Sequence, residues 1–320
     1  MLLQRSLVLA ILLGFLFAAA LGPVLIPVLK KIKAGQSIRQ DGPQSHLAKQ
    51  GTPTMGGLMF ILASVTATLM MTQLEETLLL ALMGFLIFGA IGFVDDYLKV
   101  VLKRPMGLRA YQKMIMQLTA AGGLLLFAEN RGLVPSHLYI PFLRDELTLG
   151  WVMIPFLIWV IVGTVNSVNL TDGLDGLAAG TMVIVSGFFS LVCWHLSFTE
   201  LAWFAGTLSG ACLGFLIFNI YPARVFMGDT GSLALGGALS VIALMTNLTL
   251  LLPVVGGIFF AETLSVILQV ASFKLTGNRL FKMSPLHHHF ELSGWSESRV
   301  VTTFWGVTIV LCLVGILGIP

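Results

Sequence analysis

Apolar residues run through this chain in long stretches, and polar residues gather in the gaps between them. A helix needs about 20 mostly apolar residues to cross the hydrocarbon core of a membrane. Ten stretches approach that length, at 6–29, 53–73, 77–94, 112–130, 150–168, 176–195, 200–219, 231–248, 250–273 and 299–319. The pattern predicts an all-α, polytopic integral membrane protein with about ten transmembrane helices.

Composition agrees with that prediction. Only 10% of the 320 residues are charged, against about 25% in soluble domains. We expect one transmembrane domain, residues 1–320, rather than two domains. The first apolar stretch resembles a signal peptide but is long enough to span, so we interpret it as a retained helix. Three cysteines inside apolar stretches are interpreted as small buried hydrophobes rather than as disulfide or zinc residues: Cys193, Cys212 and Cys312.

Basic residues are distributed unevenly between the two sides that ten spans would create. Only Arg5, Arg131 and Arg144 fall on the side of the two termini, so 15 of the 18 lysines and arginines fall on the other. Cytoplasmic loops are enriched in lysine and arginine, which predicts both termini outside the cytoplasm. The long outer loop, residues 131–149, has the pattern of a small periplasmic hairpin, with Arg144, Asp145 and Glu146 between two apolar runs.

Acidic residues gather on the basic side. Six of the seven aspartates lie there: Asp41, Asp95, Asp96, Asp172, Asp175 and Asp229. An ionised carboxylate costs on the order of 2.5–3.5 kcal/mol at the centre of a membrane helix, so acids near hydrocarbon usually mark a functional site. Acids and basic loops at one membrane face indicate a metal-assisted reaction on a phosphorylated substrate.

Asp95 and Asp96 end the third apolar stretch and precede several basic residues, among them Lys99 and Lys113. Neighbouring helical residues point about 100° apart, so the two carboxylates need not share one role. Asp95 could simply pair with Lys99, four residues later. Against that interpretation, two acids at a helix C-terminus oppose the helix dipole, which a purely structural site would avoid.

The segment 169–176 repeats polar residues at every third position, as Asn169, Asp172 and Asp175. A helical turn would place them broadly on one side, and the glycines allow a ligand to approach the backbone. Asp175 could instead serve only as the N-cap of the next helix. The spacing lacks the terminal glutamate of an EF-hand.

The segment 226–232 is a glycine-rich turn before the eighth stretch, containing Phe226, Gly228 and Asp229. Helix N-termini that follow such turns offer N–H groups to anions. Asp229 would repel a phosphate, but a Mg²⁺ bound to it would bridge the two. Phe226 could be a core residue or could stack on a base.

The last inner loop carries three consecutive histidines, His287 to His289, in the segment 285–291. Adjacent histidines do not have the spacing of a helical zinc site. A solvated loop and a loop that contacts phosphate or sugar both remain open. Lys49 and Thr54 lie in a second motif, 46–57, where Lys49 would stand at the mouth of the acidic site or be an ordinary cytoplasmic lysine.

Glu262 lies well inside the ninth stretch. It could be a hydrogen-bonded interior residue or take a direct role. An ion-coupled transporter is the rival class, because membrane acids also bind ions. Transporter sites tend to lie near the midplane, whereas nearly all acids here lie at one face, so only Glu262 favours a transporter. A structural scaffold would not need so many polar residues near hydrocarbon.

These motifs, in this order, resemble the polyprenyl-phosphate N-acetylhexosamine-1-phosphate transferase superfamily over the whole chain. The Asp95–Asp96 pair and the segments 169–176 and 226–232 are shared across it. The segments 285–291 and 49–57 are similar to its phospho-N-acetylmuramoyl-pentapeptide transferase branch. A sister transferase for GlcNAc-1-phosphate is the nearest alternative, and the histidine loop separates the two.

The resemblance implies transfer of phospho-MurNAc-pentapeptide from UDP to undecaprenyl phosphate, which yields lipid I and UMP and needs Mg²⁺. It also implies a bacterial inner-membrane homodimer of ten-helix subunits with a cytoplasm-facing cleft. The partners are then UDP-MurNAc-pentapeptide, undecaprenyl phosphate and membrane lipid, with no nucleic acid.

The resemblance also assigns roles to individual residues. We expect Asp229 to bind Mg²⁺, Asp95 to deprotonate or orient the lipid phosphate, and Asp96 to support the metal or a lysine. Uridine would be held by Lys99, Asp175, Asn219 and Phe226. The middle of the cleft would be lined by Lys49, Asn169 and Asp172, and His288, perhaps with His287, would meet the diphosphate or sugar. The remaining substrate-binding residues are expected to be Thr54, Lys113 and Gly228.

Overall fold

A computed structural model describes residues 2–32, 51–104 and 106–320. Lys49 and Asp41 therefore lie outside the described residues. The helices are α1 (Leu2–Lys31), α2 (Gly57–Met71), α3 (Glu76–Val100), α4 (Ala110–Asn130), α5 (Met153–Thr171), α6 (Leu177–His195), α7 (Thr199–Asn219), α8 (Gly228–Met245), α9 (Leu252–Val255), α10 (Gly257–Thr276), α11 (Leu286–Glu291) and α12 (Glu297–Ile316). Two strands, β1 (Leu138–Ile140) and β2 (Asp145–Leu147), form the one sheet in these ranges.

The architecture confirms an all-α polytopic membrane protein. Within the described ranges, eight helices are long and apolar enough to cross a membrane, and α2 is a shorter apolar helix. The fourth predicted stretch forms a helix, α4, of 21 residues, but it is not among those eight. The count of ten spans therefore stays a prediction, as does the side on which each terminus lies.

The helix α8 lies at the centre of the bundle, packed between α3 and α5 and also touching α2. Small residues allow this close approach. A Cβ atom on Gly92 of α3 would lie 2.0 Å from the backbone oxygen of Asp229, and one on Gly57 would lie 2.3 Å from the Cα of Gly231. The glycines therefore bring the ends of α2 and α3 against the start of α8.

The helix α1 packs along α7, again through glycine: a Cβ atom on Gly14 would lie 2.1 Å from the Thr207 carbonyl oxygen. The retention of this first helix stays a prediction. The three cysteines are buried free thiols, as predicted for small hydrophobes.

The predicted hairpin is present, but its turn is not where the sequence placed it. β1 and β2 are antiparallel, with Ile140 opposite Asp145 and Leu138 opposite Leu147. The turn comprises 141–144, so Asp145 and Glu146 belong to the second strand. Phe142 and Arg144 take positive φ values of 68° and 53°, an uncommon conformation for such residues, and the apolar pattern gave no sign of it.

The ninth predicted stretch, 250–273, is not one continuous helix. It divides at Gly256 into the short α9 and the longer α10. Pro253 lies near the start of α9, where proline is tolerated. Because α10 begins at Gly257, Glu262 lies in the second turn of that helix rather than in the middle of a long one.

The acidic motifs and the hairpin lie at opposite ends of α8. The Tyr139 amide of β1 donates to Asn247, just after the C-terminus of α8. Asp96 binds Thr230, in the first turn of α8. A helix of 18 residues is about 27 Å long, close to the roughly 30 Å of a hydrocarbon core. The acids of these motifs that the structure describes therefore share one end of the bundle, as predicted.

Candidate active site

Asp96 caps the N-terminus of α8. Its carboxylate accepts hydrogen bonds from the Thr230 hydroxyl at 2.6 Å and the Thr230 amide at 2.8 Å. The Asp229 amide also donates to it, at 3.2 Å. Asp96 is only 3% exposed. These bonds use N–H groups that a helix leaves unpaired, so Asp96 holds the backbone of Asp229 in place.

Asp229 is the point where several elements meet. Its Oδ2 lies 2.6 Å from the Lys99 ammonium and 3.1 Å from that of Lys113. Its Oδ1 accepts a hydrogen bond of 2.7 Å from the side-chain amide of Asn169, at the end of α5. That amide also donates to Ser232 at 2.8 Å. The side chain of Asp229 is therefore oriented by α3, α4 and α5 together.

Asp95 belongs to the same network but has a different task from Asp96. Its carboxylate accepts from Lys99 at 2.8 Å and from the Leu108 amide at 2.6 Å. The predicted Asp95–Lys99 pair is therefore present, but Lys99 also bridges to Asp229. Lys113 lies 3.6 Å from Asp95. Asp95 thus fixes the lysines that face Asp229, which agrees with separate roles for the two adjacent acids.

Asp172 follows α5 directly. It is half-buried and lies at the same end of the bundle as Asp229. Burial raises the pKa of Asp172 well above its usual range, and the negative charge of Asp229 adds to the rise. Asp96 and Asp175 act in the same direction, while the Gly228 backbone N–H opposes it. This carboxylate therefore lies in negative surroundings that a bound cation would relieve.

Asp175 and Asn219 join the loop after α5 to the loop after α7. Asp175 accepts from the Ala223 amide at 2.9 Å, and its own amide donates to Glu297 at 2.7 Å. The N-cap of α6 is Gly176, without a side-chain cap, so the capping interpretation of Asp175 is wrong. Asn219 accepts from the Gly176 amide at 3.1 Å and donates to the Val225 carbonyl at 2.9 Å.

The segment before α2 is held against the segment before α8. The Phe226 amide donates to the Pro53 carbonyl, and the Gly56 amide donates to the Phe226 carbonyl, each at 2.8 Å. Gly228 has φ +74°, and a Cβ atom on it would lie 2.7 Å from the Thr54 hydroxyl. Only glycine fits this left-handed, crowded position readily. The half-buried ring of Phe226 leaves both core packing and base stacking open.

His287 is buried, whereas His288 is partly exposed. The ring of His287 lies against Gly173, in the loop that follows α5 and begins with Asp172: a Cβ atom on Gly173 would be 2.2 Å from its Nε2 atom. His288 contacts Glu291 at 3.0 Å through Nδ1. The α11 helix thus packs onto the acidic end of the bundle rather than forming a solvated loop.

The donor groups around Asp229 fit part of the coordination shell of a magnesium ion. Within the described ranges, no three His, Cys, Asp or Glu side chains are arranged to hold a metal alone. Magnesium normally takes one or two carboxylates and completes its shell with substrate oxygens and water. Asp229 offers such a carboxylate, and the lysines on it show that this position favours positive charge. The residues therefore fit a shared site for cation and substrate.

Sequence reasoning named no contact for four residues that hold this arrangement. Thr230 and Ser232 were visible, since they follow Asp229 in the same motif, but nothing indicated that Thr230 would bind Asp96. Glu262 was noted without a partner, and Glu297 carried no signal because its contact with Asp175 spans more than a hundred residues.

Comparison with known proteins decides the family. The family model described as glycosyl transferase family 4 matches residues 78–247, and a phospho-N-acetylmuramoyl-pentapeptide-transferase signature matches residues 49–61. A protein of that name from Thermoanaerobacter sp. (strain X514) is 52% identical over 306 residues, which are 96% of each chain. The chain belongs to the phospho-N-acetylmuramoyl-pentapeptide-transferase family.

Further relatives support the assignment along the full length. A family member from Clostridium kluyveri is 51% identical and covers 98% of this chain. Another, from Halalkalibacterium halodurans, is 50% identical and covers 98% of each chain. The resemblance drawn from the motifs is thus confirmed. The chain is a multi-pass membrane enzyme of a bacterial transferase family.

Proposed function

We propose that this protein transfers phospho-MurNAc-pentapeptide from UDP-MurNAc-pentapeptide to undecaprenyl phosphate, giving lipid I and UMP. The observation that carries the proposal is the convergence on Asp229 of Lys99, Lys113 and Asn169 at the start of α8. Phosphoryl transfer depends mainly on positioning and charge neutralisation, and this arrangement supplies both. Family membership adds the identity of the substrates.

An oxygen of the lipid phosphate attacks the phosphorus attached to the sugar. A new phosphorus–oxygen bond forms, the bond to the UMP phosphate breaks, and UMP leaves with the electron pair. The second pKa of a phosphate monoester is about 6, so most lipid phosphate is already dianionic at neutral pH. A strong base is therefore not required, and Asp95, buried and bound to Lys99 and Leu108, serves to orient groups.

Asp229 would hold Mg²⁺, which when bound supplies positive charge to the diphosphate. Asp96 fixes the Asp229 backbone through Thr230. Lys99 and Lys113, which lie on Asp229, would offer their ammonium groups to phosphate oxygens. Asn169 keeps the Asp229 side chain oriented.

The neighbouring loops would hold the rest of the nucleotide sugar. Uridine lies near Lys99, Asp175, Asn219 and Phe226, as the family resemblance implies. Asp175 and Asn219 would act partly through the backbone, because both brace the loops beside them. The middle of the cleft would be lined by Lys49, Asn169 and Asp172, and Thr54 and Gly228 would bind substrate as well. His288 would meet the diphosphate or sugar.

We further propose a bacterial inner-membrane homodimer whose active site faces the cytoplasm. The bias of lysine and arginine toward the acidic end of the bundle supports that orientation. Membrane location brings the soluble nucleotide sugar and the lipid phosphate to the same boundary.

The test is transfer by purified protein in detergent. UDP-MurNAc-pentapeptide and UDP-GlcNAc are each supplied with undecaprenyl phosphate, with Mg²⁺ or with EDTA. We expect UMP and lipid I only from the muramoyl substrate and only with Mg²⁺. UMP from UDP-GlcNAc alone would identify the sister transferase instead, and equal turnover in EDTA would remove the metal role.

A further inference from the structure

Glu262 is an acid on α10 with no solvent exposure, and the mechanism above does not use it. Burying a carboxylate is costly unless hydrogen bonds compensate for lost water. The compensation comes from His287. Its backbone amide lies 3.2 and 3.4 Å from the two carboxylate oxygens, and its Nδ1 lies 3.1 Å from Oε1. Glu262 therefore ties α10 to the first turn of α11.

The contact decides how the His287 ring is arranged. A backbone N–H can only donate, so Glu262 accepts from the His287 amide, and an ionised Glu262 would accept from an Nδ1–H group as well. Nε2 is the nitrogen that remains. It is buried, and no described residue forms a hydrogen bond with it. It lies instead against Gly173, where a Cβ atom would be 2.2 Å away.

The other two histidines of the segment are held differently. His288 contacts Glu291 within the same short helix, and His289 accepts a hydrogen bond of 3.2 Å from the Lys282 amide. Among the three, the structure shows only His287 linking a buried acid of α10 to the turn after α5. That turn follows the last turn of α5, which carries Asn169, and the Asn169 amide orients Asp229.

We propose that Glu262 and His287 are positioning residues that hold the segment 169–176 in place through the contact of the His287 ring with Gly173. Glu262 orients the ring, the ring supports Gly173, and the turn holds Asp172 and the end of α5, which carries Asn169, beside Asp229. This inference rests on the proposed function for its link to turnover. It places His287 behind the reacting groups rather than against the substrate.

The test is a pair of double-mutant cycles. Gly173→Ala should lower kcat about 100-fold, because a displacement near 1 Å costs that much, with a smaller change in KM. In a His287→Ala background the ring no longer occupies the space that the methyl group needs, so Gly173→Ala should lower kcat by about threefold or less. Gly163→Ala is the matched control, since its Cβ atom would meet open space.

Glu262 is tested in the same way. Glu262→Ala should lower kcat about tenfold to 100-fold, and Glu262→Gln, which keeps an acceptor oxygen, should stay within about threefold of the wild type. Val270→Ala, at an exposed position on the same helix, is the control. In the His287→Ala background, Glu262→Ala should add little.

The inference would be overturned if Gly173→Ala lowered kcat by the same factor with and without the His287 ring. So would a Glu262→Gln variant as damaged as Glu262→Ala. The same cycles are measured on thermal unfolding in detergent, which needs no substrate, so that coupling between Gly173 and His287 is tested even if the wild type proves inactive on the muramoyl substrate.

Discussion

At the scale of single residues, two adjacent aspartates that look equivalent in the sequence have different hydrogen-bond partners. Asp96 points to the backbone of α8, and Asp95 points to the lysines. Helical geometry explains the division, because successive side chains leave a helix about 100° apart. Asp229 then receives its backbone position from one acid and its charged neighbours from the other.

Asp229→Ala should abolish UMP release that depends on Mg²⁺, with a fall of at least about 1000-fold, since several kcal/mol of charge stabilisation are lost. The protein should remain folded, because the Asp229 backbone still donates to Asp96. UMP release and thermal unfolding in detergent measure both effects. Asp145→Ala, at the exposed hairpin, is the control, and near-normal turnover by Asp229→Ala would contradict the metal assignment.

Thr230→Val should destabilise the protein by about 1–3 kcal/mol, because the buried Asp96 carboxylate loses a hydroxyl donor at 2.6 Å. Thr230→Ser keeps the hydroxyl and should restore most of that stability. Thermal or denaturant unfolding in detergent gives the comparison. If both variants matched the wild type, Asp96 would not depend on this bond.

At the scale of elements, the site depends on how closely three helices approach. Gly92 on α3 and Gly57 at the start of α2 let backbones touch near Asp229. Glycine has no Cβ atom, which makes such approach possible. The acids were evident from the sequence, but the helix packing that joins them was not, because a glycine in an apolar stretch fits many arrangements.

Gly92→Ala should lower transfer activity by at least about tenfold and lower the unfolding temperature, because overpacking a close contact costs about 1–3 kcal/mol. Its methyl group would collide with the Asp229 carbonyl oxygen, 2.0 Å from the Cβ position. Gly123→Ala on α4 would meet no atom within 4 Å and should behave like the wild type. A Gly92→Ala enzyme with full activity would show that α3 and α8 can separate without harm.

At the scale of the whole molecule, the acidic site and the β1–β2 hairpin occupy opposite ends of α8. The three acidic motifs therefore open at one end, as the proposed transfer between a soluble nucleotide and a lipid requires. The basic residues around the site support the proposed orientation in the bilayer.

That orientation is testable with single cysteines. The native cysteines are buried, so Ser136→Cys near the hairpin and Arg104→Cys after α3 supply accessible thiols. A membrane-impermeant thiol reagent should label Ser136→Cys on intact cells and Arg104→Cys only after lysis. The reverse pattern would place the active site outside the cytoplasm.

The sequence by itself determined the class of the protein and most of the candidate site. A long apolar stretch in a membrane satisfies its backbone polar groups by forming a helix. The acids beside glycine turns at one face predicted the residues that meet at Asp229. The hairpin was also visible, although its turn was placed too late.

Only the tertiary structure decided how those residues are used. The separate tasks of Asp95 and Asp96, the bracing role of Asp175, the break at Gly256 and the pairing of Glu262 with His287 all depend on contacts between distant parts of the chain. Hydrophobic periodicity records which side of an element is apolar, and it carries no information about which polar groups meet across a packed interface.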